Sequence, residues 1–312
     1  MTTLFVGAGF SYWAANLPLA NDLFDFQIDA FGVREPQKLE RVMEIKSNWD
    51  KNHPDEHIEA FIHYAINQNK EIENLVKWYL VRRLSEPYLW YEKHANRWRR
   101  HVLMIDENRA LDRPGVKEAK NFLNYLIRFG LKGIITTNYD LLVEYALGTK
   151  NFNYGSKGEV LTGRGPYPVS QWQNPVRLRG KIPISKVHGS ISWDTEKHYT
   201  DGRRGLTGNA LIVAPNPEKN RPDELISMWS LASNILRDTN QIIFFGFGFN
   251  RYDSALLDLL SENGNSISKV ILIDVDPKTD IAQELWPKAI ISSALPPPDG
   301  SDKLQSWLEE GI

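Results

Sequence analysis

Two stretches far apart in the chain constrain the fold more than any others. Near the N-terminus the apolar run Leu4–Val6 meets Gly7-Ala8-Gly9-Phe10-Ser11. At residue 241 the run QIIFF meets Gly246-Phe247-Gly248 and then passes into the helical pattern SALLDLL. A buried strand that ends in a glycine turn and gives way to a helix is the repeating unit of a parallel sheet. Further short apolar runs, IITT within 133–137, ALIVAP at 210–215 and KVILI at 269–273, alternate with helical patterns, and ISKVHGSISW at 184–193 reads as a short extended piece. Together they predict an α/β chain built on a doubly wound parallel sheet. No fixed-period repeat interrupts it.

Between the first two strands the period is helical for about a hundred residues. HIEAFIHYAI, IENLVKWYLVRRL and VKEAKNFLNYLIRFG carry apolar residues at spacings of three and four, and the last stops at Gly130, a suitable C-cap. Residues 22–130 are therefore expected to form a helical insertion, with 1–21 and 131–312 forming the sheet-bearing part of one unit. LISMWSLASNILRD predicts an amphipathic helix. Residues 148–180, rich in Gly, Pro, Asn and Gln, predict a loop or irregular hairpin, and SDKLQSWLEE a closing helix capped by Ser301.

Composition removes several chemistries. The 312 residues include no cysteine, which excludes disulfides, cysteine-ligated zinc, iron–sulfur clusters and a thiol nucleophile. A cysteine-free chain suits a reducing cytoplasm. Net charge is −2, so no global field draws the protein to nucleic acid or an anionic membrane. No signal peptide or membrane-length apolar run is read, and Met1 falls almost directly on the first strand, so no leader domain is expected.

Four strand ends carry unusual residues: the first glycine turn, Thr137-Asn138-Tyr139-Asp140, Gly246-Phe247-Gly248, and Asp274. In a parallel sheet all C-terminal strand ends share one edge, and ligands bind where strand order reverses. Glycine turns at helix N-termini suit a pyrophosphate, and an acid at a strand end suits a ribose diol. A buried Asn138 amide needs partners, and no structural rule asks for asparagine just after a strand. His188, between Val187 and Gly189, reads alone as more often structural than functional. Asp140 could be a plain helix N-cap, and for Asp253 the N-cap is the favoured reading.

With these pieces in view, the chain resembles the bacterial sirtuin-like family. GAGFS followed by LP, the TTNYD turn, KVHGSISW, and FFGFGFNRYDSALLDLL before VILIDVDP occur in that family's order, and HIEAFI resembles the helical segment placed after the first motif. The resemblance implies a Rossmann-like NAD fold with a helical subdomain. It also implies NAD+ as substrate, no metal, and an activity like that of NAD-hydrolysing effectors of antiphage defence. By position, Gly7, Ala8, Gly9 and Ser11 would cradle the diphosphate, and Gly246 and Gly248 would line the phosphate and adenosine ribose. Asn138 would orient water or the nicotinamide ribose, Asp140 would fix that ribose or the carboxamide, and His188 would be the catalytic histidine. Deacetylating sirtuins carry a cysteine-based zinc ribbon and charged residues after the proline of the first motif. This chain has no cysteine, and Leu19-Ala20-Asn21 follows Pro18. Water is then the expected acceptor, and the reading is an NAD+ glycohydrolase forming nicotinamide and ADP-ribose or cyclic ADP-ribose. The alternatives are a protein deacylase or ADP-ribosyl transferase, and a non-catalytic NAD- or ADP-ribose-sensing subunit. A homo-oligomer is expected, and the resemblance alone suggests a partner ATPase.

Two further patterns are weighed. HPDEH at 53–57 matches a zinc-site string, yet reads better as a polar helix start. WYEKHANRWRRH at 90–101 interleaves aromatic and basic residues, and with no nucleic-acid motif nearby it reads as a solvated face or protein contact.

Overall fold

The computed structural model describes residues 1–25, 36–85, 114–148, 150–155, 180–194, 210–215 and 221–297. The 90–101 stretch, most of the 148–180 loop and the Ser301 helix of the sequence reading lie outside the described residues.

A seven-stranded sheet forms the centre, in the order β3-β4-β2-β1-β7-β8-β9, every neighbouring pair parallel. Its strands are β1 (Thr2–Val6), β2 (Leu131–Thr136), β3 (Phe152–Asn153), β4 (Ile182–Lys186), β7 (Gln241–Phe245), β8 (Lys269–Ile273) and β9 (Ile290–Ala294). β1 and β7 are buried along their whole length, which is why they read as unbroken apolar runs rather than as alternation. From β1 the chain proceeds to β2 and β4 on one side and later to β7 and β8 on the other. The order therefore reverses between β1 and β7, and a crevice opens at their C-terminal ends. This is the expected doubly wound, Rossmann-like α/β architecture.

Helices flank the sheet: α1 (Ala8–Ala15), α5 (Pro114–Arg128), α6 (Leu142–Leu147), α7 (Ile226–Arg237), α8 (Ser254–Asn263) and α9 (Thr279–Leu285). α1 is pinned by aromatic packing, with Phe10, Trp13 and Phe122 all within 5.1 Å of the Phe245 ring centroid. Three more helices, α2 (Pro36–Asn52), α3 (Ile58–Gln68) and α4 (Lys70–Ser85), pack on one another. α5, which its sequence position groups with that insertion, packs against α1, α6 and β2 and so belongs to the helix layer of the sheet.

The extended piece 184–193 is two strands in two sheets. β4 ends at Lys186, the chain turns at Val187 and His188, and β5 (Gly189–Asp194) pairs antiparallel with β6 (Ala210–Ile212) in a separate two-stranded sheet. Gly189 makes this crossing possible. Its φ is +86, and a Cβ there would lie 2.0 Å from the Leu211 carbonyl oxygen. α4 packs against both β5 and β6, so the helical insertion and the small sheet meet over the crevice.

Candidate active site

The two glycine turns interlock. The N–H groups of Gly7 and Gly9 donate to the carbonyls of Phe245 and Gly246 at 3.0 Å each, and Gly246 N donates to Ile273 O at 2.9 Å. A Cβ on Gly7 would lie 2.3 Å from Gly246 O, and one on Gly246 2.3 Å from Phe10 N. Gly246 also has a φ of +63, where a side chain is strained. These three N–H groups are thus engaged inside the protein. What the glycines provide is close approach of β1 and β7, which brings the N-terminal turn of α1 to the crevice. Gly248 differs: a Cβ there would meet nothing within 4 Å.

Two cavities open from that crevice. The larger, about 590 Å³, is lined by Ala8, Gly9, Gly246, Gly248 and Asp274, with Trp13 and Pro297 among its apolar wall. The smaller, about 100 Å³, is lined by Ser11, Asn138, Asp140, His188 and Glu59 beneath Leu17 and Pro18. Ala8 and Ala20 line both, so the two cavities adjoin at the start of α1. Gly7 lines neither. Its carbonyl lies under the floor and accepts from Asn138 Nδ2 at 2.9 Å.

Asn138, Ser11 and Asp140 form one hydrogen-bonded chain. Asn138 Nδ2 also donates to Ser11 Oγ at 3.0 Å, and Ser11 Oγ donates to Asp140 Oδ2 at 2.8 Å. Asp140 Oδ1 accepts from Leu142 N at 2.8 Å, satisfying a donor at the start of α6. Asp140 therefore does serve the helix end, and it also carries the Ser11–Asn138 chain. Burial pushes its carboxyl above the usual range, while Lys186 and these hydrogen bonds pull it back. Below the turn, Lys186 Nζ reaches Asp140 O at 2.5 Å and Glu144 Oε1 at 3.0 Å, and Tyr154 OH donates to the same Glu144 oxygen at 2.9 Å. This buried cluster fixes the strand-end turn that presents Asn138.

His188 is buried at the break between β4 and β5, and its Nε2 stands 2.9 Å from Asp253 Oδ2. The contact is close without being an aligned hydrogen bond, and it becomes an ion pair only when the imidazole takes up a proton. Burial alone would lower the imidazole pKa, but the Asp253 and Glu59 charges outweigh it, and the net shift is upward. Asp253 occupies the N-cap position of α8 yet makes no side-chain cap, so the plain N-cap reading gives way to a histidine partner. His188 also lines a third cavity of about 490 Å³, together with Asp253, His63 and Lys77. It thus lines two of the three cavities.

Sequence reasoning passed over Glu59 and gave Asp253 only a capping role, though both lie inside quoted motifs, HIEAFI and FNRYDS. Their spacing from His188 along the chain holds no hint that they converge on it. The HPDEH string ends in His57, the N-cap residue of α3, whose Nδ1 accepts from Glu59 N at 3.3 Å, as the helix-start reading expects. Asp274 Oδ1 accepts from Asp276 N at 3.0 Å and stays at the rim of the larger cavity. Among the described residues, no helix is long and apolar enough to cross a membrane.

Among curated proteins, none matches the chain. Solved structures similar to the chain include a Sir2 enzyme studied for mechanism and regulation, 14% identical over 99% of this chain and 90% of that one, with a TM-score of 0.45. A Sir2 bound to the inhibitor EX-527, 2'-O-acetyl-ADP-ribose and a deacetylated p53 peptide is 16% identical over 100% and 94%, with a TM-score of 0.41. A Sir2 homolog–NAD complex is 13% identical over 99% and 88%, with a TM-score of 0.39. A family model described as the SIR2-like domain matches residues 132–292, from the strand before Asn138 to the last strand of the sheet, and the chain belongs to the SIR2-like domain family.

Proposed function

We propose that this protein is an NAD+ glycohydrolase. The family assignment supports an NAD+-using site, and one observation carries the finer reading. A large cavity with a carboxylate at its rim adjoins a small one lined by Asn138 and His188 at the N-terminal turn of α1. A dinucleotide has this shape. Its ADP half would occupy the larger space, with Asp274 on the adenosine ribose and the diphosphate crossing near Ala8, Gly9, Ser11, Gly246 and Gly248. Its nicotinamide ribose would enter the smaller, beside Asn138 and Asp140.

The chemistry asks for little acid assistance, because nicotinamide leaves neutral. The C1′–N bond breaks with its electron pair on the nicotinamide nitrogen, and positive charge builds on the sugar. Water forms the new C1′–O bond, and its proton passes to His188. Asp253 on Nε2 orients the ring for this, in the arrangement by which a carboxylate positions a histidine base. Asn138 offers a donor and an acceptor without a competing charge. If a ribose hydroxyl of the substrate replaces water, the product is cyclic ADP-ribose. The absence of cysteine and the apolar Leu19 and Ala20 after Pro18 favour water over an acyl-lysine.

The motif order from the first glycine turn to VILIDVDP supports a NAD+-depleting effector of bacterial antiphage defence acting in the cytoplasm. A free enzyme of this kind would exhaust its host's NAD+, so assembly into a homo-oligomer, or a partner such as an ATPase, would gate it. The test is incubation with NAD+ and chromatography for nicotinamide over a protein concentration series, with mass measured in parallel. Turnover that rises with assembly supports both readings. Full turnover by a dilute monomer overturns the gating, and NAD+ binding without nicotinamide at any concentration overturns the hydrolase in favour of a sensing subunit.

A further inference from the structure

His188 is flanked by two carboxyl groups, and the chemistry above uses one. Asp253 lines the third cavity, 2.9 Å from the ring. Glu59, in the first turn of α3, lines the small cavity with Asn138, Asp140 and His188. Its carboxylate is held from the sheet side: Asn250, in the turn between β7 and α8, donates Nδ2 to Glu59 Oε2. Asn250 follows Phe249, a non-glycine residue with a φ of +48, and its ring packs against Phe244 and Phe247 at 4.7 and 4.8 Å. Tilted and edge-on aromatic contacts thus hold a strained backbone that aims an amide at Glu59. A carboxyl group so placed costs desolvation that an exposed glutamate on the same helix would avoid.

We propose that Glu59 is a further catalytic residue of this site, an anion facing the ribosyl carbon as positive charge develops there. The proposal rests on the NAD+ glycohydrolase reading and adds no bond to it. Nicotinamide still leaves with the electron pair, water still attacks, and the proton still goes to His188. Glu59 exchanges no proton during the step and supplies only charge, which is most effective from a fixed group in a space shielded from water.

That role requires Glu59 to be ionised, and its surroundings set where this happens. Burial raises its pKa, the His188 charge opposes the rise, Asp253 adds to it and the Asn250 hydrogen bond opposes it, leaving it at about 7. From the Asn138 turn, Tyr139 is kept neutral by burial and by the charges of Glu59 and Asp253, and Asp140, which lines the same cavity, has its own carboxyl pushed up by burial and held by Lys186. On the acid side, activity is then lost by two protonations together, of Glu59 and of the His188 base.

The experiment compares wild type with Glu59→Gln, which keeps the size and the acceptor for Asn250 but removes the charge, and with Glu59→Asp, which restores the charge on a shorter arm. Nicotinamide release is followed from about pH 5 to about pH 9 at the protein concentration of maximal turnover. Binding of carba-NAD, which cannot be cleaved at the sugar, is measured by calorimetry, and melting in parallel. Glu59→Gln is expected to bind carba-NAD like wild type, to lose about 10²-fold or more in kcat, and to show a one-proton acid limb in place of a two-proton limb. Glu59→Asp is expected to recover part of kcat and the steeper limb. A Glu59→Gln kcat within about threefold of wild type, or a loss confined to KM with the limb unchanged, overturns the role of Glu59 and leaves the hydrolase reading standing. A wild-type protein that binds carba-NAD and never releases nicotinamide defeats the hydrolase reading, and the role of Glu59 with it.

Discussion

Lys186→Met tests the cluster beneath the Asn138 turn. Lys186 and Glu144 are 1% and 0% exposed, with Nζ 3.0 Å from Glu144 Oε1. The second oxygen of Glu144 is buried with no hydrogen-bond partner among the described residues, so the carboxylate depends on Lys186 and on Tyr154 OH at 2.9 Å. Methionine keeps the length of the side chain and removes its charge. Glu144 is left buried with a single neutral donor, and breaking such a pair costs about 3–5 kcal/mol. Unfolding entropy of about 2.1 cal/mol/K per residue over 312 residues is about 0.65 kcal/mol/K, so the melting midpoint should fall by about 5–8 °C. The double variant Lys186→Met/Glu144→Met removes both charges and should regain most of that loss, since apolar replacement of a buried pair is often neutral. It cannot regain the 2.5 Å bond from Lys186 to the Asp140 carbonyl, so nicotinamide release should stay reduced while the melt recovers. Calorimetric melting of both variants with a nicotinamide assay checks this. A single variant that melts within about 1 °C of wild type, or a double variant no better than the single, refutes the reasoning.

Other outcomes follow from the same geometry. His188→Ala should lower nicotinamide release by about 10²–10⁴-fold with a normal melt, and activity within a few-fold of wild type would remove its role as base. Asn138→Ala should lose turnover while carba-NAD still binds, because the larger cavity is unchanged; lost binding with a normal melt would make Asn138 a capture residue instead. Asp253 raises the pKa of His188, so Asp253→Asn should move the acid limb of activity to lower pH and reduce kcat through loss of orientation; an unmoved limb would count against the pair. Stability should respond to Glu59 in the opposite sense to activity. Its folded pKa of about 7 lies above the ordinary 4.5, so its contribution is fully present at low pH and is lost as pH rises from about 4.5 through 7, by at most about 3 kcal/mol. Glu59→Gln should therefore melt above wild type at pH 8 and near it at pH 5, and a uniform decrease would refute the assignment.

The strands of the central sheet were legible in the sequence because burial on both faces leaves an unbroken apolar run, as in LFV, IIFF and VILI. The turns that follow were legible because glycine, asparagine and aspartate at a strand end have few other uses. β9 was not, since IISSA at a sheet edge is half exposed and lacks an apolar run, and neither was β3, whose two residues Phe152 and Asn153 fall in the 148–180 segment read as loop or hairpin and are too short to show a period. α5 shows the same limit for domains: its amphipathic pattern demands a partner for the apolar face, but whether the partner is the insertion or the sheet is a matter of chain path. The order of motifs placed Asn138 and His188 in one site. Only the tertiary structure could turn the Gly7, Gly9 and Gly246 N–H groups inward, split the His188 segment between two sheets, and bring Glu59 and Asp253 to the same imidazole from helices nearly two hundred residues apart. Local pattern records what a residue must bury or cap. It does not record which distant charge will stand 2.9 Å away, because that distance is set by the packing of whole elements and not by any preference of the residues that make it.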